Sequence, residues 1–446
     1  MRIVIAGAGE VGSHLAKMLS VENHFITVID DSERRLDSLA ATADVITIEG
    51  NITLFEVLSK ADVARSDLFL AVSQDQNSNI ISAMLAKQLG CRKVLSRIDN
   101  DEYVRPGIKE LFINMGLDYM FYPEREAAEE VIKLLGNTST TEFVDFSGGK
   151  LAMVAFRIEE GSPLLNVSLQ SLRKENCEVR YRTIAISRGN ETIIPTGKDF
   201  IKLSDIIYVI SAREAIDEVL SYTGKTKVEI NNMMILGGSK VARKIAKTLQ
   251  HDVNIKLVDY NVEKATKLAE MLDKTLIIND DGRNIEVMEE EGLENMDAFL
   301  ALTGRAETNI LAAMLAKRMG VKKVIAEVEN LDYIGLAESV GVDTIINKKL
   351  TTASSIFRFT MNTDVQAIKC LNGCDAEVLE FIAKSDSLIT RNCLREIDFP
   401  SGATIGGVVR GEEAFIAGGD TLIEPYDRVV VFALPKAIAK IGKYFE

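Results

Sequence analysis

Short apolar runs alternate with amphipathic stretches through two long regions of this chain. The runs are mostly four to six residues long, rich in valine and isoleucine, and bounded by polar residues and glycine. Uninterrupted apolar runs of this length predict parallel strands buried on both faces, and the amphipathic stretches predict the helices that cover them. Six strands in each region predict a doubly wound, Rossmann-like α/β sheet. The predicted strands run from Arg2 to Ala6, Phe25 to Asp30, Asp44 to Ile48, Leu68 to Val72, Lys93 to Ile98 and Asp118 to Tyr122, and then from Met233 to Leu236, Asn254 to Asp259, Thr275 to Ile278, Ala298 to Leu302, Lys323 to Val328 and Asp343 to Ile346.

The two regions are copies of one another. The segment from Ala83 to Lys87 recurs from Ala313 to Lys317, and the same difference in residue number relates many other matching positions. The difference becomes smaller at Gly116 and Gly341, so the first copy carries a short insertion before that point. A constant register that is broken by one insertion indicates an internal duplication.

A different pattern follows each copy. Residues 142 to 220 carry short alternating runs such as Leu151 to Ile158, separated by turn signals such as Gly161-Ser162-Pro163, and the same order returns from Val365 onward. Alternation punctuated by glycine and proline predicts a small α+β module. The order is therefore A-B-A-B, with linkers at Asn137 to Thr141 and Gly224 to Lys227. The predicted domains are residues 1–136, 142–224, 228–362 and 365–446.

Composition argues against several classes of function. The 446 residues carry a net charge of -14, and their basic residues are interspersed with acidic ones, whereas nucleic-acid binding requires a basic surface. The apolar runs are too short for a transmembrane helix or a signal peptide. Five cysteines without regular spacing are typical of a reducing cytoplasm. Cys370 and Cys374 have no second cysteine pair or histidine cluster beside them in the sequence, so we expect no metal site.

The first copy opens on a glycine fingerprint, Gly7-Ala8-Gly9-Glu10-Val11-Gly12, directly after its first predicted strand. In such a loop Gly7 permits the tight turn, Gly9 lets the backbone approach a pyrophosphate, and Gly12 allows close packing of helix on sheet. The N-terminus of the following helix offers free N–H groups to the phosphates. Asp30 ends the second predicted strand, where its carboxylate would bind a ribose diol and repel a 2′-phosphate. The pattern favours NAD or an adenosine nucleotide over NADP.

The second copy carries an altered fingerprint, Gly237-Gly238-Ser239-Lys240-Val241-Ala242, with Asp259 at the end of its own second strand. Its final alanine still permits close packing, but Ser239 places a Cβ where the backbone should meet phosphate. Glu327 stands at the position of Arg97, so a residue that could pair with phosphate is replaced by one that would repel it. A second nucleotide site and a purely structural turn both remain open for this copy.

Further candidate residues follow the third and fourth predicted strands. Asn51 and Ile52 come after the third strand of the first copy, and Ser73 comes after the fourth, with Thr303 as its counterpart in the second copy. The carboxyl ends of parallel strands line the ligand crevice, so these residues are candidates for adenine and ribose contacts. A turn stabilised by Asn51 is the alternative explanation for that residue.

Several of these features occur together in one known family. They are the A-B-A-B order, the first fingerprint with Asp30, the strand end Ala71-Val72-Ser73, and the segment Ser96 to Asn100 followed by Glu102 and Tyr103. In these features the chain resembles the TrkA family, the peripheral NAD-binding subunits of Trk-type potassium uptake systems, whose domains are also described as regulators of potassium conductance. The smaller modules are similar to that family's ligand-sensing C-terminal domains at Arg188-Gly189, Ile193 to Pro195, Gly197 and Asp205.

The resemblance implies a regulator and not an enzyme. It implies a cytoplasmic protein at the inner face of the cell membrane, assembled as a homotetrameric ring beneath an integral-membrane Trk-type potassium channel or transporter. It also implies NAD(H) as the ligand, with ATP and ADP as alternatives, and a ring whose shape depends on the bound nucleotide. The residues implied to hold nucleotide are Gly7, Ala8, Gly9, Glu10, Val11, Gly12, Asp30, Asn51, Ile52, Ser73, Gln74 and Arg97, and in the second copy Gly237, Gly238, Ser239, Lys240, Val241, Asp259 and Thr303.

Two other functions remain open. A nicotinamide-dependent oxidoreductase would need a proton donor or acceptor beside the nicotinamide. One Tyr-x-x-x-Lys pair, Tyr260 and Lys264, directly follows Asp259 and is therefore expected at the adenosine end of a bound cofactor. A purely structural interaction protein would bind no nucleotide at all.

Overall fold

The computed structural model describes the chain except for residues 22–23, 176–180, 190, 225–227, 358, 361–364, 372–373 and 375. Residues 225–227 of the second predicted linker therefore lie outside the described residues. Contacts group the chain into two compact units. Unit 1 contains Met1–Glu124 and Lys348–Asn362, and unit 2 contains Arg125–Asn347 and Thr363–Glu446.

Unit 1 is built on a six-stranded parallel sheet. Its first and fourth strands are neighbours at the centre, so the strand order reverses there, as the doubly wound prediction requires. The prediction of fold class is confirmed. The strands are β1 (Arg2–Ala6), β2 (Phe25–Asp30), β3 (Ile46–Glu49), β4 (Leu68–Ala71), β5 (Lys93–Arg97) and β6 (Tyr119–Phe121), in the spatial order β3-β2-β1-β4-β5-β6.

Amphipathic helices follow these strands, and local signals set their ends. The carboxylate of Asp75 accepts hydrogen bonds from the backbone N–H groups of Asn77 and Ser78 at the start of the fourth helix. That helix ends at Gly90, whose φ of 113° is a left-handed conformation suited to glycine. The helices are α1 (Glu10–Ser20), α2 (Glu33–Ala40), α3 (Phe55–Lys60), α4 (Gln76–Leu89), α5 (Pro106–Asn114) and α6 (Pro123–Gly136).

The first small module, in unit 2, is a five-stranded antiparallel sheet. Its central strand pairs with a neighbour on each side, and both pairings bury apolar residues. This agrees with the small α+β module expected after the first copy. Its elements are β7 (Glu142–Phe146), β8 (Leu151–Arg157), α7 (Leu169–Glu175), β9 (Tyr181–Arg188), β10 (Glu191–Ile193), β11 (Ile206–Ala212) and α8 (Ile216–Ser221), with the strands in the spatial order β10-β9-β11-β8-β7.

A second six-stranded parallel sheet in unit 2 repeats the strand order of the first. Its strands are β12 (Asn232–Leu236), β13 (Asn254–Val258), β14 (Leu276–Ile278), β15 (Ala298–Ala301), β16 (Lys323–Glu327) and β17 (Thr344–Ile346), in the spatial order β14-β13-β12-β15-β16-β17. The helices are α9 (Lys240–Leu249), α10 (Val262–Met271), α11 (Ile285–Glu290), α12 (Ala306–Arg318), α13 (Ile334–Ser339) and α14 (Lys348–Phe357).

The second small module has the topology of the first and shares an apolar core with it. Leu151 and Tyr208 of the first module lie in one buried cluster with Val378 and Phe432 of the second. The elements are β18 (Val365–Cys370), β19 (Glu377–Ile382), β20 (Ala403–Arg410), β21 (Glu413–Ile416), β22 (Arg428–Ala433) and α15 (Pro435–Phe445), with the strands in the spatial order β18-β19-β22-β20-β21.

The last helix of each Rossmann-like copy belongs mainly to the unit built on the other copy. In α6, Val131 and Leu134 lie in the apolar cluster that contains Met233 and Ile235 of β12. In unit 1, α14 packs on α1. The domain limits at residues 136 and 362 stay predictions about the sequence, because packing groups the chain differently.

Some strands are shorter than their apolar pattern suggests. Asp118 was expected to begin the sixth strand, but β6 begins at Tyr119. The Asp118 carboxylate accepts a hydrogen bond from the Val94 N–H at 2.7 Å and pairs with Lys87 at 2.8 Å. The Asp118 side chain therefore binds the start of the neighbouring strand β5 instead of beginning β6. Within the described residues, no helix combines the length and apolarity that crossing a membrane requires.

Candidate functional site

The three glycines of the first fingerprint are glycine for three different reasons. Gly7 has φ of 113°, and a Cβ there would come 2.8 Å from the backbone nitrogen of Ser73. A Cβ at Gly12 would collide with the carbonyl oxygen of Gly7. Gly9 has φ of -68°, and a Cβ there would meet no atom of the described residues within 4 Å. The fold of this loop therefore requires glycine at positions 7 and 12. Glycine at position 9 is not required by the fold and leaves open space in front of the loop.

Asp30 ties the end of β2 to this loop. Its Oδ2 accepts a hydrogen bond from the Ala8 N–H at 2.6 Å, and its Oδ1 accepts one from the Ser32 N–H at 2.9 Å. The Arg35 guanidinium lies 3.4 Å from Oδ1, and Asp30 is only 5% exposed. A carboxylate has about four lone-pair sites, so Asp30 can hold the loop and still accept a ribose hydroxyl.

Two cavities adjoin the loop, and together they collect most of the predicted contacts of the first site. Gly9 and Gln74 line both, whereas Val11, Gly12 and Arg97 line neither. The smaller, of about 240 Å³, is lined by Gly7, Gly9, Asp30, Asp31, Arg35, Gly50, Asn51, Ile52, Ser73, Gln74, Asp75 and Ser78. The larger, of about 600 Å³, is lined by Ala8, Gly9, Glu10, Ser13, Lys17, Ser32, Arg34, Arg35, Ser38, Leu39 and Gln74.

Asn51 also stabilises its own turn, as the alternative explanation proposed. Its Oδ1 accepts hydrogen bonds from the Thr53 N–H at 2.9 Å and the Thr53 hydroxyl at 2.8 Å. The turn holds Asn51 and Ile52 at the wall of the smaller cavity. The two explanations are therefore compatible.

Arg97 lies apart from these cavities. Its Nη2 donates to Glu124 Oε1 at 2.8 Å, and both side chains are largely buried. An arginine paired in this way holds the end of β5 to the start of α6. Its predicted role as a phosphate ligand stays a prediction that would require this pair to open.

Asn79 is a site residue that sequence reasoning missed. Its Oδ1 accepts hydrogen bonds from the N–H and hydroxyl of Ser73, and its Nδ2 donates to the carbonyls of Ser73 and Arg97. The side chain is 1% exposed and joins the ends of β4 and β5. The signal was available, because Asn309 recurs in the same register on α12 and makes the same set of bonds to Thr303 and Glu327.

The second fingerprint keeps the geometry of the first. Gly237 has φ of 97°, and the N–H of Gly238 donates to Asp259 Oδ2 at 2.6 Å. Ser239 has φ of -66°, close to that of Gly9, and its hydroxyl accepts a hydrogen bond from the Ala242 N–H at 3.2 Å. Ser239 thus caps α9 without distorting the loop, because this backbone conformation is open to any residue.

A third cavity, of about 300 Å³, adjoins this second loop. Of the predicted second-site residues, Gly238, Ser239 and Lys240 line it, whereas Gly237, Val241, Asp259 and Thr303 do not. Glu327 is buried at the end of β16 and does not line it either. The lining residues are Gly238, Ser239, Lys240, Arg243, Lys264, Lys267, Leu268 and Met271.

Two other sequence features have structural explanations. Tyr260 is 75% exposed beside Asp259, and the Lys264 ammonium lies 3.8 Å from that carboxylate. Arg188 donates two hydrogen bonds to Asp205, at 2.8 and 2.7 Å, within the first small module. Among the described residues, no group of three or more histidine, cysteine, aspartate and glutamate side chains is arranged to hold a metal ion.

His14 is a partly buried residue of α1 close to the fingerprint. Its imidazole pKa is lowered from 6.5 to about 4, because burial disfavours the charged ring and the cations Lys349 and Lys17 oppose its protonation. Lys349, on α14, lies 3.4 Å from the carboxylate of Glu10 in the fingerprint. The histidine is therefore neutral near neutral pH, and α14 contributes a cation beside the loop.

Two known domain families each match the chain twice. The TrkA-N domain matches residues 3–123 and again 233–348, and the TrkA-C domain matches residues 153–224 and 378–446. The chain belongs to the TrkA family. The resemblance inferred from the sequence is confirmed, and each TrkA-N match covers one parallel sheet.

Relatives in the TrkA family share about a third of their residues with this chain. The Trk system potassium uptake protein TrkA homolog 2 of Methanosarcina mazei is 33% identical, with 100% of both chains covered. TrkA of Halomonas elongata is 33% identical over 98% of this chain and 96% of its own. The RCK domain of GsuK has the same fold, with a TM-score of 0.62 at 13% identity, covering 98% of this chain and 93% of its own. The GsuK channel bound to NAD matches with a TM-score of 0.61 at 14% identity, covering 100% of this chain and 78% of its own.

Proposed function

We propose that this chain is the nucleotide-binding regulatory subunit of a Trk-type potassium uptake system. The first fingerprint binds NAD(H), or ATP or ADP in its place, and the bound nucleotide controls an integral-membrane potassium-transporting subunit. The chain acts in the cytoplasm at the inner face of the membrane as a homotetramer. The observation that carries this proposal is the open space at Gly9, bounded by a helix N-terminus and Asp30.

The geometry supports a dinucleotide at the first site. The smaller cavity presents Asp30, Asn51, Ile52 and Ser73 and suits an adenosine, whereas the larger one begins at the N-terminus of α1 and suits phosphates. The names of the relatives refer to potassium uptake, and GsuK is a channel whose structures include NAD-bound and ADP-bound forms.

Regulation requires that nucleotide bind two conformations of the protein with different affinity. The helix α1 carries the N–H groups that face the phosphates and also contacts α14, whose Lys349 lies 3.4 Å from Glu10. A pyrophosphate that moves Glu10 would therefore shift the packing of α14. Couplings of this kind are typically about 1–3 kcal/mol.

We infer that the chain is not an enzyme. A hydride-transfer site needs a proton donor near the nicotinamide, and the Tyr260 and Lys264 pair belongs instead to the ribose end of the second fingerprint. Incubation of the protein with NADH and candidate carbonyl substrates should leave the absorbance of NADH unchanged. Turnover of NADH with any substrate would favour the oxidoreductase alternative.

The nucleotide proposal can be tested with Gly9→Asp. Aspartate suits an N-cap position and meets open space there, so the fold should be retained while its charge repels phosphate. Isothermal titration calorimetry with NAD, NADH, ATP and ADP should show first-site binding in the wild type that is lost in the variant. Ser239→Asp is the matched control, since it places the same charge in the second loop. Equal binding by wild type and Gly9→Asp would overturn the proposal.

The membrane partner can be sought with the full-length tagged chain. Native membranes should yield a potassium-transporting membrane protein that co-purifies with it, and the amount recovered should change when NADH or ATP is added. Recovery that is the same for wild type and Gly9→Asp at every nucleotide concentration would contradict nucleotide control of the contact.

A further inference from the structure

The third cavity corresponds position by position to part of the larger cavity of the first copy. The register between the copies is constant through the fingerprint and shifts by one position before Asp259. In this register, seven residues of one lining match seven of the other. The matched pairs are Ala8 and Gly238, Gly9 and Ser239, Glu10 and Lys240, Ser13 and Arg243, Arg35 and Lys264, Ser38 and Lys267, and Leu39 and Leu268.

These replacements make the lining of the third cavity more positively charged. Lys240 stands where the first copy has an acid, and Arg243 and Lys267 stand where it has serines. Lys264 keeps the positive charge of its counterpart. Among the described residues that line the third cavity there are four cations and no carboxylate, whereas the lining of the larger cavity of the first copy has three cations, Lys17, Arg34 and Arg35, together with the carboxylate of Glu10.

The backbone around the cations retains its phosphate-binding form. The cavity includes Ser239 and Lys240 at the N-terminus of α9, a helix of ten residues whose first N–H groups carry partial positive charge. Asp259, the ribose acid of this copy, accepts hydrogen bonds from the N–H groups of Gly238 and Asn261 and so is directed at the loop. The cavity, of about 300 Å³, is half the size of the matching one of about 600 Å³.

We propose that the second fingerprint binds a polyphosphate chain, as carried by a nucleoside triphosphate, in preference to a dinucleotide. A triphosphate has more negative charge than the pyrophosphate of NAD, and it presents that charge at its end, where it can meet the four cations of the lining. A dinucleotide would instead have to extend a nicotinamide riboside past them, which is neutral in NADH and positively charged in NAD. This inference rests on the proposed nucleotide-sensing function and gives the two copies different ligands.

The experiment uses the full-length chain with the first site closed by Gly9→Asp. Titration with ATP, ADP, inorganic tripolyphosphate and NADH should give binding in the order ATP, ADP, NADH from tightest to weakest. Arg243→Ser combined with Lys267→Ser restores the residues of the first copy and should weaken ATP binding at least tenfold. Lys274→Ser combined with Arg318→Ser removes the same charge at exposed positions outside the cavity lining and should leave ATP binding unchanged.

The tripolyphosphate arm identifies what the cations recognise. Binding of both ATP and tripolyphosphate supports recognition of the phosphate chain alone, and binding of ATP only supports recognition of phosphates together with a nucleoside. NADH binding as tight as that of ATP, or unchanged ATP binding by the Arg243 and Lys267 variant, would overturn the inference. Wild-type protein that binds NADH at the first site but nothing at the second overturns this inference alone. Wild-type protein that binds no nucleotide overturns the proposed function as well.

Thermal unfolding of each variant separates lost binding from lost structure. Arg243 on α9 is half-buried and Lys267 on α10 is exposed, so their serine variants should unfold within a few degrees of the parent protein. Reduced ATP binding by a variant that keeps its unfolding temperature is the supporting result.

Discussion

At the residue scale, the glycines of the first fingerprint are required for different physical reasons. Gly7 is required by its backbone angle and Gly12 by the carbonyl oxygen of Gly7, so both belong to folding. Gly9 is required by neither. The second copy keeps Gly237 at the position of Gly7 and has Ser239 at the position of Gly9. It has Ala242 at the position of Gly12, so the steric requirement for glycine at position 12 belongs to the first loop.

Gly12→Ala should destabilise unit 1, because the new methyl group would collide with the Gly7 carbonyl. Overpacking of this kind typically costs about 1–3 kcal/mol, so the unfolding temperature should fall by several degrees. Gly9→Ala is the control and should unfold like the wild type, since its methyl group meets open space among the described residues. Differential scanning calorimetry that ranks the two variants in the opposite order would contradict this explanation of the loop.

His14 predicts a dependence of stability on pH. Its folded pKa of about 4 lies below the ordinary value of 6.5, so the unfolded chain takes up a proton first as the pH falls. Its contribution is constant above about pH 6.5, and stability is lost progressively between about pH 6.5 and 4, by an amount on the order of 3 kcal/mol. Thermal unfolding near pH 7.5 and near pH 5 should therefore differ more for the wild type than for His14→Gln. An equal difference in the two proteins would contradict the role of His14.

At the element scale, each small module contains a buried aspartate held by an arginine. Arg410 donates to Asp427 at 3.0 and 2.7 Å, as Arg188 does to Asp205, and Asp427 is 2% exposed. The family resemblance implies ligand sensing at Arg188, which stays a prediction, and in the structure this arginine joins strand β9 to the turn before β11. The pair recurs because both modules close their sheet in the same way.

Arg410→Ala should destabilise unit 2, because it leaves a buried carboxylate without its cation. Removal of one partner from a buried pair typically costs about 3–5 kcal/mol, and less where the arginine is partly exposed, as here. Arg395→Ala is the matched control in the same module, since its pair with Asp420 is exposed and should contribute less than about 1 kcal/mol. Chemical unfolding should separate the two variants, and equal losses would contradict the structural role of the Arg410 pair.

The sequence predicted the strands and helices far better than it predicted the contacts between them. Continuous apolar runs identified both parallel sheets, because burial on two faces leaves a local signature. The pair of Arg97 with Glu124 was missed, since it joins a strand to a helix that lies well beyond it in the sequence. The membership of α6 and α14 was missed for the same reason: an amphipathic helix shows which face is apolar and not which sheet covers it.

At the scale of the whole molecule, the duplication has made two units that each depend on both halves of the chain. Unit 1 takes α14 from the second copy, and unit 2 takes most of α6 from the first. The fold of either copy therefore cannot be assigned to a continuous stretch of sequence.

Paired core mutations should show this exchange. Phe357→Ala, in α14, should destabilise the sheet of unit 1, and Leu134→Ala, in α6, should destabilise the sheet of unit 2, because both side chains are buried. Large-to-small changes of these types cost about 2–5 kcal/mol. Hydrogen exchange with mass spectrometry should show faster exchange in β1, β4 and β5 for the first variant and in β12, β15 and β16 for the second. Faster exchange confined to the mutated copy would contradict the exchange of helices.

The exchanged helices also fix a ratio. A cell that made the two copies as separate proteins could vary the amount of one against the other, and with it the balance of their two fingerprints. Here each copy needs a helix from the other copy to complete its unit. Each folded chain therefore contains one first fingerprint and one second fingerprint, the latter beside the cavity with four cations. If the two fingerprints bind different nucleotides, each chain responds to the concentrations of both nucleotides through a fixed one-to-one ratio of sites. Changes in gene expression cannot alter that ratio.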